Sequence, residues 1–122
     1  MTQLTKYGYI ILGNGYAPAQ HNANINSPQF SSTIICVDTI KAAIKVAKKM
    51  VADGIQVIEL CGGFGQSGAF EIINAINCKV PVGCVSFSGY EHDKLTDFLS
   101  QASSPELGQA SSAELDQPSS IE

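Results

Sequence analysis

Between residues 38 and 60 the chain passes from one apolar period to another, and that passage limits the fold more than any other feature. Ile40, Ala43, Ile44, Ala47, Met50 and Val51 recur at helical spacing, with Lys41, Lys45, Lys48 and Lys49 turned away from them. That is the pattern of a helix with one buried face, and the lysines read as its solvated side. Asp38 or Thr39 can cap its start and Gly54 its end. Residues 55–60 are then apolar on both faces apart from Gln56 and Glu59. Such a run is too short for a helix and suits a strand covered on both sides. A helix feeding directly into a doubly covered strand is the crossover unit of a parallel sheet.

The flanking segments extend this alternation. Residues 7–13 read as a strand ended by the turn Gly13-Asn14-Gly15, and residues 31–37 as a second strand. Residues 17–26 read as a short helix entered through Pro18, although its asparagines favour turns and caps. Ser67 can cap a helix whose inner face is Ala69, Ile72, Ile73 and Ile76, ending near Asn77. Residues 80–87 form the last expected strand, with Pro81 near its start. Leu95, Phe98 and Leu99 suggest a turn of helix within residues 90–100. The expected fold class is α/β: a small doubly wound, mainly parallel four-stranded sheet with helices on both faces. A chain of 122 residues fits one domain, here 1–100, followed by an acidic Ser/Gln-rich tail, 101–122, expected to be disordered. Four parallel strands leave two edges and little core, so a homo-oligomer is expected.

Charge and composition exclude several partners. Glu106, Glu114, Asp116 and Glu122 account for the net charge of −4, because the seven acids before them offset the seven lysines. A neutral body without a basic face argues against nucleic acid. The chain has no arginine, so a bound anion must rely on backbone N–H groups or lysine. Cys36, Cys61, Cys78 and Cys84 form no C-x-x-C pair, and no apolar run approaches the roughly 20 residues of a membrane helix. The expectation is a cytoplasmic protein with reduced thiols and no membrane partner, in which Cys36, Cys78 and Cys84 serve packing.

Parallel α/β sheets bind ligands beyond the carboxyl ends of their strands. Here those ends present Asn14 and Gly15, Asp38, Glu59 with Cys61, and Ser86 with Ser88. The loop Cys61-Gly62-Gly63-Phe64-Gly65-Gln66-Ser67 lies between a strand and a helix, where glycines can turn backbone N–H groups toward a small anion or a carbonyl. It lacks the Gly-Lys-Ser/Thr ending of a P-loop. Gly63 is expected to need glycine's backbone freedom. Cys61, near a helix N-terminus, is placed for a nucleophilic thiolate. Glu59 shares its strand face and can act as base or orienting group, although its charge opposes the thiolate. The blander reading is an inert Cys61 beside glycines that only make a tight turn. His21 and His92 follow the first and last strands and can reach the same rim as proton shuttles, or serve as surface and capping residues. Nothing in their spacing marks a metal site, and no cofactor is identified. Pro18 stands where a dinucleotide fingerprint opening at Gly13 needs its third glycine, which excludes that motif.

The stretch Val57-Ile58-Glu59-Leu60-Cys61-Gly62-Gly63-Phe64-Gly65, followed by Val80-Pro81-Val82-Gly83, resembles an uncharacterised family of short bacterial proteins, the domain of unknown function six-five-zero-six. The resemblance implies a compact α/β domain, draws attention to His21 and to the loop from Glu59 to Gly65, and brings no assigned activity. It also implies an arginine where Ser86 stands here, which counts against a shared anionic substrate. The expected function is a small-molecule-binding protein or small enzyme that holds a small anionic or carbonyl ligand at the loop. Asn14, His21, Gly62, Gly63, Phe64, Gly65 and Ser86 are its expected ligand contacts, and Cys61 with Glu59 its expected catalytic pair. The alternative is a non-catalytic regulatory or oligomeric assembly module.

Overall fold

The computed structural model describes residues 2–102, so the expected disordered tail lies outside the described residues except for its first two, which end the last helix. One sheet holds β1 (Lys6–Leu12), β2 (Asn22–Asn26), β3 (Ser31–Val37), β4 (Val57–Leu60) and β5 (Val82–Cys84), in the order β2-β3-β1-β4-β5. β3, β1, β4 and β5 run parallel, and β2 lies antiparallel on β3. The helices are α1 (Ile40–Ala52), α2 (Gly65–Ala75) and α3 (Gly89–Ala102).

α1 forms where the period of its apolar residues places it. Thr39 caps it by accepting a hydrogen bond from the Ala42 amide at 3.0 Å. Its inner residues Ala43, Val46, Ala47 and Met50 are buried against Ile10, Val37, Ile58 and Leu60 of the sheet, with Phe64, Ala69, Ile72 and Ile76 continuing the same core. Each large aliphatic side chain buried there contributes about 1.5–3 kcal/mol.

Strand order explains where the helices go. The connections β3-α1-β4 and β4-α2-β5 step across the sheet in the same direction, and right-handed crossovers that step the same way leave their helices on one face. The two helices meet there: a Cβ on Gly68 of α2 would lie 3.0 Å from Ile40 Cδ1 of α1. A crossover helix on the other face would have to lie in the connection from β1 back to β3, and that connection holds β2 instead. The sheet therefore has five strands where four were expected, and α1 and α2 share one face where helices on both were expected.

The residues expected to form the helix at 17–26 explain this difference. Helical geometry stops after one turn, in which His21 N–H donates to Ala17 C=O at 2.8 Å. Asn22, Asn24 and Asn26 then alternate with Ala23 and Ile25, a strand period. Ser27 closes the hairpin, its Oγ accepting from the Phe30 amide at 3.0 Å. Across the pair, Thr33 Oγ1 donates to Asn24 Oδ1 at 2.8 Å. Asparagine gains little in a helix interior and here finds partners in the ladder.

The face without α1 and α2 carries Tyr7, Tyr9 and Ile11 of β1, Ile34 and Cys36 of β3, Val57 and Glu59 of β4, and Ala23 and Ile25 of β2. Most are half-buried, and Phe30 stacks on Tyr7 with ring centroids 6.4 Å apart. α3 is almost uncovered: Leu95 alone among its described side chains is half-buried, while Tyr90, Phe98 and Leu99 are 86%, 62% and 40% exposed. β5 keeps three residues of the expected strand at 80–87, with Pro81 just outside it accepting from the Ile58 amide at 3.0 Å. Among the described residues no helix is long and apolar enough to cross a membrane.

Candidate functional site

The segment after β4 turns at once. Cys61 keeps extended backbone and its N–H donates to Ile10 C=O at 3.1 Å, after which Gly62–Phe64 form a 3₁₀ turn that runs directly into α2. Ser67 consequently lies inside α2 and does not cap it. One glycine of the turn is required by its backbone and a second is closely approached. Gly65 has φ 65° and ψ −179°, a conformation essentially confined to glycine. At Gly62 a Cβ would approach the Val85 carbonyl oxygen to 3.2 Å. Gly63, expected to be the demanding position, meets only ordinary contacts, such as 3.7 Å from its built Cβ to Cys61 Sγ.

The same turn limits what the loop can offer a ligand. Phe64 is 4% exposed and its side chain belongs to the core, because the 3₁₀ turn rotates it inward beside α2. Its N–H donates to Cys61 C=O at 3.2 Å, and the Gly65 N–H donates to Gly62 C=O. Gly62 and Gly63, both exposed, are left as the loop's donors toward a ligand.

Cys61 is half-buried at the carboxyl rim of the sheet, where its Sγ accepts from the Leu12 amide at 3.2 Å. Glu59 is exposed on the uncovered face, and Tyr7 donates its hydroxyl to Glu59 Oε1 at 2.7 Å. Tyr9, the cross-strand neighbour of Glu59, has its hydroxyl held above its ordinary range by burial, with the charges of Cys61, Glu59 and Cys84 adding to the effect. Burial likewise raises the thiols of Cys36 and Cys84, and Cys61 reinforces both shifts. Tyr9, Cys36 and Cys84 thus lie within electrostatic reach of Cys61. Cys78, expected to be packed, is exposed: α2 ends at Ala75, and Asn77 and Cys78 turn outward with φ 57° and 56°.

The other expected contacts are spread around this rim. His21 Nδ1 accepts from the Ala17 amide at 2.9 Å and its ring lies 5.3 Å from that of Tyr16, so this histidine locks a turn. Its carbonyl accepts from the Cys36 amide at 2.9 Å, which sets the turn at the end of β3. Asn14 is exposed in the turn after β1, and Ser86 is exposed beyond β5. His92 lies on α3, in a groove of about 590 Å³ with Phe87, Tyr90 and Asp93. Among the described residues no group of three or more His, Cys, Asp and Glu side chains is placed to hold a metal ion. Tyr7, Tyr9 and the Leu12 amide were not singled out by sequence reasoning, although the period of two in β1 places both tyrosines on the face of Glu59.

No curated protein and no solved structure matches the chain. The sequence model of DUF6506, a family of unknown function, matches residues 5–100, and the chain belongs to that family.

Proposed function

We propose that the protein binds a small carbonyl or anionic molecule at the carboxyl rim of its sheet, with Cys61 as the reacting or anchoring group. The observation that carries this reading is the fixed, half-exposed sulfur of Cys61, tied to the Leu12 amide at 3.2 Å beside the exposed amides of Gly62 and Gly63. Glu59, clasped by Tyr7, supplies an oriented negative charge on the adjoining face. Four unpaired thiols suit a reducing compartment, in keeping with a cytoplasmic location.

Timed alkylation with iodoacetamide and peptide mapping tests the reading. Cys78 is exposed and reacts simply through access, so the experiment uses a Cys78→Ser protein. In that background Cys61 is expected to be modified before Cys36 and Cys84, whose raised thiols hold little thiolate at neutral pH. Labelling of Cys36 or Cys84 first would rule out Cys61 as the reactive thiol.

A second reading, an assembly module, rests on the uncovered sheet face and the uncovered α3. Its occupant is a second copy of the chain. Two symmetric dockings of Tyr90, Phe98 and Leu99 against Ile11, Ile34 and Val57 would cover both unpartnered surfaces at once.

A further inference from the structure

On the side of α1 away from α2, the sheet runs on past the helix. β3 and β2 overhang it, and helix and overhang enclose a cleft of about 820 Å³, within the roughly 300–1,000 Å³ usual for small-molecule sites. Its floor is apolar, made by Ile35, Val46 and Met50. One wall is β2, whose alternation sets Asn22, Asn24 and Asn26 on the cleft side at intervals of roughly 6.5 Å. Lys45 and Lys49, one helical turn apart on α1, form the other wall, with Lys6 at its end.

The polar groups here are partly committed, which shows where a ligand could be held. Lys49 pairs with Asp53 at 3.0 Å, and Lys6 donates to the Asp53 carbonyl at 2.9 Å. Asn24 Oδ1 accepts from Thr33, so the Asn24 amide nitrogen is turned to donate elsewhere. Three ammonium groups face one carboxylate here, although the seven lysines and seven acids of residues 1–100 balance overall.

We propose that this cleft is a second binding site, taking a small organic acid. Its oxyanion group, carboxylate or phosphate, lies against Lys45 and the Asn24 amide, and its apolar body lies on Ile35, Val46 and Met50. The site is separate from the Cys61 rim: it lies under the helix-covered face, at the β2 end of the sheet.

NMR titration of the ¹⁵N-labelled full chain tests this, using phenylacetate and phenyl phosphate as probes and benzyl alcohol as their uncharged counterpart. Saturable shifts are expected at the side-chain amides of Asn22, Asn24 and Asn26 with the two acids, and the tighter of the two identifies the oxyanion. Lys45→Gln, at an exposed helix position, is expected to weaken binding about threefold. Asn24→Asp, which keeps the acceptor for Thr33 and adds a like charge, is expected to weaken it further, in a protein whose spectrum is otherwise unchanged. Equal binding of benzyl alcohol, shifts centred on Gly62 and Gly63, or undiminished affinity in both variants would overturn the proposal. The alkylation order at Cys61 does not depend on this cleft, so either reading can fail alone.

Discussion

Gly65 holds a backbone conformation, φ 65° with ψ −179°, that any side chain resists, and it stands where the 3₁₀ turn becomes α2. Gly65→Ala is therefore expected to cost about 1–3 kcal/mol. Gly63→Ala, whose added Cβ meets nothing closer than 3.7 Å, is expected to stay within about 0.5 kcal/mol. Urea midpoints of the two variants decide the matter, and a larger loss at Gly63 would show that the turn is built differently. The two residues look alike in the sequence. What separates them is the dihedral angle each must adopt, and that follows from the path of the chain into α2.

At the scale of elements, β1 and β4 are joined across their uncovered side by the Tyr7–Glu59 hydrogen bond of 2.7 Å. Burial first, then this bond and the Glu59 charge, hold the Tyr7 hydroxyl well above its ordinary value of 10.0. A group that keeps its proton longer in the fold than in the unfolded chain contributes stability present in full below pH 10 and lost as pH rises above it. Tyr7→Phe should therefore flatten the alkaline fall in stability, read as urea midpoints at about pH 8 and about pH 10.5. Tyr9 has a shift of the same sign, so a smaller slope remains in the variant. Equal slopes in the two proteins would show that the bond contributes nothing. α1 was legible because its apolar period extends over three turns, and β4 because its apolar run is too short for a helix. β2 was not, since asparagine favours turns and caps, and that preference masks the alternation Asn22-Ala23-Asn24-Ile25-Asn26. That strand in turn hid the cleft, because Lys45 and Lys49 read as a solvated stripe until something stands opposite them. The one-sided placement of α1 and α2 was beyond sequence reading for another reason: it depends on strand order, a non-local property.

For the whole molecule, the uncovered face and α3 are complementary in character and occur in the same chain. Light scattering of the full chain is expected to give a twofold dimer. Phe98→Asp, on the exposed side of α3, is expected to yield a monomer whose core, and so whose helical signal, is preserved. A monomer in the unsubstituted protein, or a dimer unmoved by Phe98→Asp, would remove α3 from the interface.

β1, the first of the five strands to be synthesised, lies at the centre of the sheet, between β3 and β4. Its two partners are made later, and β4 ends only at Leu60. A growing chain can pair β1 with β3 early, yet the other edge of β1 stays unsatisfied until Leu60 has cleared the ribosome. Neither crossover helix has its complete sheet to pack on before then. Closure of such long intervals slows folding and prolongs exposure of strand edges. The nascent protein is thus most open to mispairing while residues 38–56 are emerging from the ribosome, and the arrival of a four-residue strand ends that interval.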